Sequence, residues 1–359
     1  MEVSSFGHTP EGAQARVFEL RSEHARVRVS DFGATLVGAD VPDRNGALAD
    51  VVLGFGSVEG YAGANGACYG GVIGPVANRT DRAEVPIDGT IYHLPGNDGP
   101  QGENNLHSDL KRGLHKRLWQ IDDADGDGRL RLSCALNDGE LGLPGNRTFT
   151  ATYTLSEPEE GIVELRMDFG CTTDATTYVN MTSHAYVNLA GHDAGEALGE
   201  IVSVDADAFL PVREDSVSEG AVLDVTDTPF DFREPKALGA DIDADDEQLR
   251  RARGYDHCFC VRGYAEGGAP RHAMRTVEQT SGRALDVLIT MPGAHLYTGN
   301  WLEDDAPLTK DDASYRPRHG VAFEPEFYPD APHHADWPQP VCEPERPYAQ
   351  TIVYRFSTI

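Results

Sequence analysis

Val163-Glu164-Leu165-Arg166-Met167-Asp168-Phe169 alternates apolar and charged residues without a break. Successive side chains of a β-strand point to opposite faces, so the pattern predicts a strand with one dry face and one wet one. The same grammar extends outward in both directions. Thr148 to Leu155 precedes it, and Leu285–Met291 and Thr351–Phe356 follow. Nearer the start, Val27 and Val29 alternate with Arg26, Arg28 and Ser30, followed by Leu36–Val41 and Asp50–Phe55. With 38 Gly and 22 Pro as punctuation, short strands at regular spacing predict an all-β fold, a large sandwich.

Helical signals are few. Asp245-Asp246-Glu247-Gln248-Leu249-Arg250-Arg251 carries acids at its start and bases at its end, which suits one short helix. Asp123-Ala124-Asp125-Gly126-Asp127-Gly128 resembles the opening of a calcium loop, but its twelfth position is Cys134 where a bidentate glutamate is needed. A hairpin turn is the better reading, because Asp-Gly pairs supply the positive φ such turns need. No linker, internal repeat or low-complexity tract divides the chain, so residues 1–359 are expected to form one domain.

The formal net charge of -29 excludes nucleic acid and anionic membranes as expected partners. No run of about 18 apolar residues suggests a membrane span. Met1-Glu2-Val3-Ser4-Ser5 lacks the basic start and apolar core of a secretory leader, so a cytoplasmic address is expected. Six cysteines without zinc-type pairing agree with reduced thiols. His115 and His333-His334 lack a helix-spaced ligand pair, so neither metal nor cofactor is expected. Trp119, Trp301 and Trp337 could stack on a sugar face, but core packing is the commoner use of tryptophan and they are left out of the expected site.

Three stretches carry candidate chemistry. In Asn180-Met181-Thr182-Ser183-His184-Ala185-Tyr186-Val187-Asn188-Leu189, polar groups recur at every second position with an imidazole at the centre. A strand would aim them to one face. Taken alone, such a face is more often solvated, with His184 idle. Asn78-Arg79 offers an amide and a forked guanidinium, and His107 follows paired asparagines in an irregular segment. Glu324 follows Val321-Ala322-Phe323, which predicts a partly buried carboxylate, either salt-bridged or raised in pKa.

In this order, the three stretches resemble the aldose 1-epimerase (galactose mutarotase) family. The resemblance runs nearly end to end, through Asp31-Phe32-Gly33-Ala34-Thr35-Leu36, Val41-Pro42-Asp43-Arg44-Asn45-Gly46, Asn105-Leu106-His107, Gly254-Tyr255-Asp256-His257 and Tyr297-Thr298-Gly299-Asn300. It implies a large antiparallel β-sandwich of the mutarotase type whose broad cleft binds a free aldose of the glucose or galactose class, in a monomer or homodimer. By position, Glu324 matches the family's general base, His184 its general acid and His107 the second histidine. Asn78, Arg79 and Asp256 match positions that hold sugar hydroxyls. The implied state is an ionised Glu324 beside a protonated His184, the imidazolium favoured by neighbouring carboxylates.

The chain departs from the family pattern at Pro75, Ser108-Asp109, His295 and Glu326. His295 stands where the family has a glutamine that contacts sugar or the catalytic carboxylate, which makes it a candidate substrate-binding residue. Two rival readings share the fold: a hexose-6-phosphate epimerase, which needs clustered cations where only Arg79 lies in the motifs, and a non-catalytic sugar-binding protein.

Overall fold

The computed structural model describes residues 1–63, 66–126, 128–303 and 308–359. The Val163–Phe169 stretch lies within the strand Ile162–Thr173, paired antiparallel with Arg147–Glu159 on one side and Tyr348–Thr358 on the other. Val163, Leu165, Met167 and Phe169 are buried, while Glu164 and Asp168 reach the wet face. There Glu164 meets Arg355 at 2.6 Å and Asp168 accepts from the Thr351 hydroxyl at 2.6 Å. Burial of each large apolar side chain contributes about 1.5–3 kcal/mol, against well under 1 kcal/mol for a surface ion pair, so the dry face decides the register.

Among the described residues these strands belong to a nine-stranded sheet, which runs from Gln120–Asp125 at one edge to Lys236–Ala237 at the other. A six-stranded sheet faces it, with Asp256–Val261, Gly293–Tyr297 and Val321–Glu326 as adjacent antiparallel strands. Phe149, Met167 and Phe169 of the first sheet and Phe259, Leu296 and Phe323 of the second share one apolar core. The architecture is a large antiparallel β-sandwich. A further five-stranded sheet, Glu2–His8 to Leu48–Asp50, covers one side.

Period two now works in the second sheet. Phe323, Leu296 and Phe259 point into the core, so Glu324, His295 and Cys258, one residue away on each strand, point to the opposite face. They stand in one row, since Cys258 pairs with His295 and His295 with Glu324. Asp256 and Tyr297 form the next row.

The expected helix forms at Glu247–Ala252, where the Asp246 carboxylate caps the amides of Gln248 and Leu249. The Asp-Gly segment joins a hairpin of Gln120–Asp125 with Arg129–Leu136, with Gly126 at φ 59°; Asp127 lies outside the described residues. A short helix at Val58–Ala62 carried no clear sequence signal.

Two expected strands are corrected. Regular pairing ends at Asp50, and residues 51–55 keep only bridges from Val52 to Val187 and from Phe55 to Thr309. Lys310 breaks the ladder: its ammonium donates to the Val37 and Val52 carbonyls and to Asp50. Residues 180–189 likewise do not form one strand. Thr177–Tyr178, Thr182–Ser183 and Tyr186–Val187 pair with three different partners. No disulfide links the six cysteines. Among the described residues no helix is long and apolar enough to cross a membrane.

Candidate active site

A cleft of about 470 Å³ opens over the face of the six-stranded sheet that turns away from the core. Asn78, Arg79, His107, His184, Asp256 and Glu324 all line it. Residues from five distant stretches therefore meet in one place. His295 does not line it.

Glu324 is 2 % exposed, and its Oε2 has no hydrogen-bond partner. His184 Nε2 lies 3.5 Å away. Burial dominates both groups. It pushes Glu324 up to about 8, and the Glu326 and Asp256 charges add to the rise while His295 and Arg79 oppose it. Burial pulls His184 down to about 4 against the pull of Asp256. Burial thus opposes charge on both groups, favouring the protonated carboxyl and the neutral imidazole. This direction runs against the expected ionised Glu324 and protonated His184, since each group is removed from water.

The backbone of His184 is fixed on both sides. Its carbonyl accepts from the Gly70 amide at 2.9 Å, and its amide donates to the Gly71 carbonyl at 3.0 Å. Gly70 has φ +60°, and a Cβ there would lie 2.0 Å from the Leu36 carbonyl oxygen, so only glycine supplies this anchor. The His184 ring lies between His107, with centroids 5.3 Å apart, and Tyr186, at 5.0 Å. The polar alternation that flagged this stretch only partly reaches the cleft. Asn180 bonds the Phe327 backbone and Asn188 bonds the Gly195 and His319 carbonyls, so both hold loops together.

His107 stands at φ 53° just after a two-residue pairing with Arg79 and Thr80. Its Nδ1 accepts from the Asn78 amide at 3.1 Å, which leaves the ring proton on Nε2. Burial and the neighbouring His184 hold this imidazole well below the usual histidine range. Asn78, at φ 59°, donates from Nδ2 to Glu326 Oε1 at 3.1 Å and accepts at Oδ1 from the Arg79 amide at 2.8 Å. Arg79 is held by Asp98 at 2.8 Å and stands 3.9 Å from Asp256. Asp256 is pushed up by burial but brought down to about 2 by its hydrogen bond to His295 and the His295 and Arg79 charges.

The placement of His295 corrects the expectation that it contacts substrate. It is 3 % exposed and lies behind Asp256, with Nε2 2.7 Å from Asp256 Oδ1. Its Nδ1 lies 3.3 Å from Glu326 Oε1 and 3.1 Å from Asn78 Nδ2. Burial disfavours its charge, but hydrogen bonds to Asp256, Cys258 and Glu326 outweigh that and hold it well above the ordinary histidine range.

Sequence reasoning missed Trp301. Trp119 and Trp337 are buried, but Trp301 is 52 % exposed at the cleft mouth, with the Arg253 guanidinium 3.8 Å over its ring. The usable signal was its position directly after Tyr297-Thr298-Gly299-Asn300. Asp98, the partner that aims Arg79, carried no signal because the two are joined only by folding.

Two buried sets place possible metal-donor atoms within 4.8 Å of one another: His107, His184 and Glu324, and Cys258, His295 and Glu326. In the second, the Asn78 amide nitrogen already lies 3.1 Å from both His295 Nδ1 and Glu326 Oε1.

Residues 16–355 match the family profile described as aldose 1-epimerase. Galactose mutarotase of Rattus norvegicus is 35% identical over 354 residues, covering 98% of this chain and 97% of that protein. Aldose 1-epimerase of Escherichia coli (strain K12) is 33% identical over 350 residues, covering 97% and 96%. Among solved structures, a GalM/aldose epimerase homologue from C. elegans superposes with TM-score 0.84 at 27% identity, covering 96% of this chain and 99% of that one.

Proposed function

The chain belongs to the aldose 1-epimerase family and is an isomerase that interconverts the α and β anomers of aldoses, and on that premise we propose that Glu324 and His184 carry its two proton transfers. The observation that supports this most directly is the 3.5 Å approach of Glu324 Oε2 to His184 Nε2 in one cleft.

Ring opening needs a base at the C1 hydroxyl and an acid at the ring oxygen. The Glu324 carboxylate takes the C1–OH proton while the His184 imidazolium protonates O5. The C1–O5 bond breaks as C1=O forms. Rotation about C1–C2 turns the aldehyde, and the ring closes on its other face as Glu324 returns its proton to O1 and His184 recovers its proton from O5. Each positioned transfer contributes about 10²–10⁴-fold.

The protonation state favoured by burial has a place in this cycle. Protonated Glu324 beside neutral His184 is the state that ring opening leaves behind. When a closed sugar enters, its hydroxyls hydrogen-bond the carboxylate and favour transfer of the proton to His184. His107, neutral with its proton on Nε2, donates to the oxygens around C1. Arg79 and Asp256 hold the remote hydroxyls, and Asn78 braces both ends.

A neutral aldose suits the cleft better than a sugar phosphate. Arg79 is already engaged by Asp98 and Asp256, and the walls add Asp215. A phosphate dianion needs free guanidinium or ammonium groups. The full span 1–359 is proposed to act as one catalytic domain on free aldoses of the glucose and galactose class. Polarimetry of freshly dissolved α-D-glucose and α-D-galactose, with glucose 6-phosphate alongside, tests the reading: the free sugars reach equilibrium faster with protein present, and the phosphate does not.

A further inference from the structure

We propose that His295 is a positioning residue that ties the two ends of the cleft together from beneath its floor, clamping Asp256 for the sugar hydroxyls and bracing, through Asn78, the histidine at the reacting carbon. This rests on the reading of the cleft as an aldose site.

The path is continuous. His295 Nε2 donates to Asp256 Oδ1 at 2.7 Å. On its other side, Nδ1 meets Glu326 Oε1 at 3.3 Å, and the same oxygen accepts from Asn78 Nδ2 at 3.1 Å. The Asn78 backbone N–H donates to His107 Nδ1 at 3.1 Å. Asp256 and His107 both line the cleft, whereas His295 and Glu326 do not. A ring held at Nε2 by Asp256 and at Nδ1 between Glu326 and Asn78 cannot rotate without breaking a contact. It therefore fixes Asp256 at one sugar hydroxyl and keeps the Glu326–Asn78 pair in register. A neutral amide at position 295 could keep the bond to Asp256 but not the charge between two carboxylates.

Strand geometry explains why this residue can act at both ends. His295 stands between Cys258 and Glu324 in one cross-strand row, with Asp256 and Tyr297 in the next. Its positive charge also faces Glu324. The charged or titratable groups that bear on Glu324 are His184, His295, Glu326, Asp256 and Arg79, with Cys68, Tyr186, Tyr297 and Tyr354 around it. Those bearing on His295 are Asp256, Glu326, Cys258 and Glu324, with His107, His184 and His257 also coupled to its charge. Loss of the His295 charge therefore withdraws a favourable interaction from the Glu324 carboxylate.

The test uses His295→Leu and His295→Gln, each in the full chain and in a Glu324→Gln background. Sugar affinity is read from tryptophan fluorescence, with Trp301 as the reporter. In the Glu324→Gln background, His295→Leu is expected to weaken glucose and galactose binding about tenfold to a hundredfold, as loss of a hydrogen bond to a charged group does. His295→Gln restores binding to within about threefold, since one amide N–H can replace the bond to Asp256. With Glu324 present, both variants move the alkaline limb of the kcat/KM profile to higher pH, an effect that packing alone does not produce. Native affinity in His295→Leu together with an unmoved limb in His295→Gln overturns the proposal. Should His295→Leu fail to fold, the pH profile of His295→Gln decides alone. Residual full turnover in Glu324→Gln sinks the assignment of the base, and the binding comparison still reports on His295.

Discussion

Glu324 Oε2 and His184 Nε2 stand 3.5 Å apart at the bottom of a cleft, and the carboxylate oxygen has no hydrogen-bond partner. Burial pushes the carboxyl up to about 8 and the imidazole down to about 4. Between those values the pair holds one proton. The reaction needs one proton to give and one vacancy to receive, so the pair is competent only in that window. Below about pH 4 His184 gains a second proton and no base is left. Above about pH 8 the pair loses its only proton and no acid is left. We predict a bell-shaped kcat/KM profile with limbs near these values. A profile flat through both regions in initial-rate polarimetry contradicts the assignment.

Arg79 and Asp256 line the same cleft, 3.9 Å from each other, and are proposed to hold hydroxyls that do not react. Asp256→Asn is expected to raise KM by roughly tenfold, the cost of losing one charge-assisted hydrogen bond. Its effect on kcat is smaller. A change confined to kcat in steady-state measurements argues against a role in binding.

Trp301 offers a half-open indole at the mouth, stacked beneath Arg253. An aromatic face packs against the C–H face of a pyranose and supplies apolar contact that hydroxyl-binding residues cannot. Trp301→Ala is expected to weaken sugar binding by about fivefold, roughly 1 kcal/mol, with kcat nearly unchanged. Titration by isothermal calorimetry checks it.

Lys310 is the structural counterpart of the site residues. Its ammonium satisfies the Val37 and Val52 carbonyls and pairs with Asp50 where the strand ladder breaks. Lys310→Met leaves these acceptors without their donor and costs about 3–5 kcal/mol. The thermal midpoint is expected to fall by roughly 5–10 °C. An unchanged midpoint by calorimetry shows that Asp50 finds sufficient compensation in Arg28.

The legible and illegible parts of the molecule divide along physical lines. Val163–Phe169 announced its strand because burial on one face imposes period two, and that constraint is local. Glu324 was legible as a buried acid because it directly follows the apolar run Val321-Ala322-Phe323. The 180–189 stretch shows the limit. Its alternation was real, but Asn180 and Asn188 turned to backbone groups of distant loops, which only the fold brings near. Residues 51–55 looked like a strand until a lysine more than 250 residues later entered the ladder. The direction in which burial moves Glu324 and His184 was not legible, because loss of water depends on every wall of the cleft. His295 is a substrate-binding candidate by the family's glutamine position alone, which could not reveal that Asp256 stands between its ring and the cleft.

The most direct measurement is initial-rate polarimetry of α-D-galactose with Glu324→Gln, in parallel with sugar binding. The amide keeps the shape of the carboxyl and cannot accept the C1 proton. Turnover is expected to fall by at least about 10²-fold while the dissociation constant stays within a few-fold of the parent value. A variant that binds sugar and still turns it over near the parent rate contradicts the account at its centre.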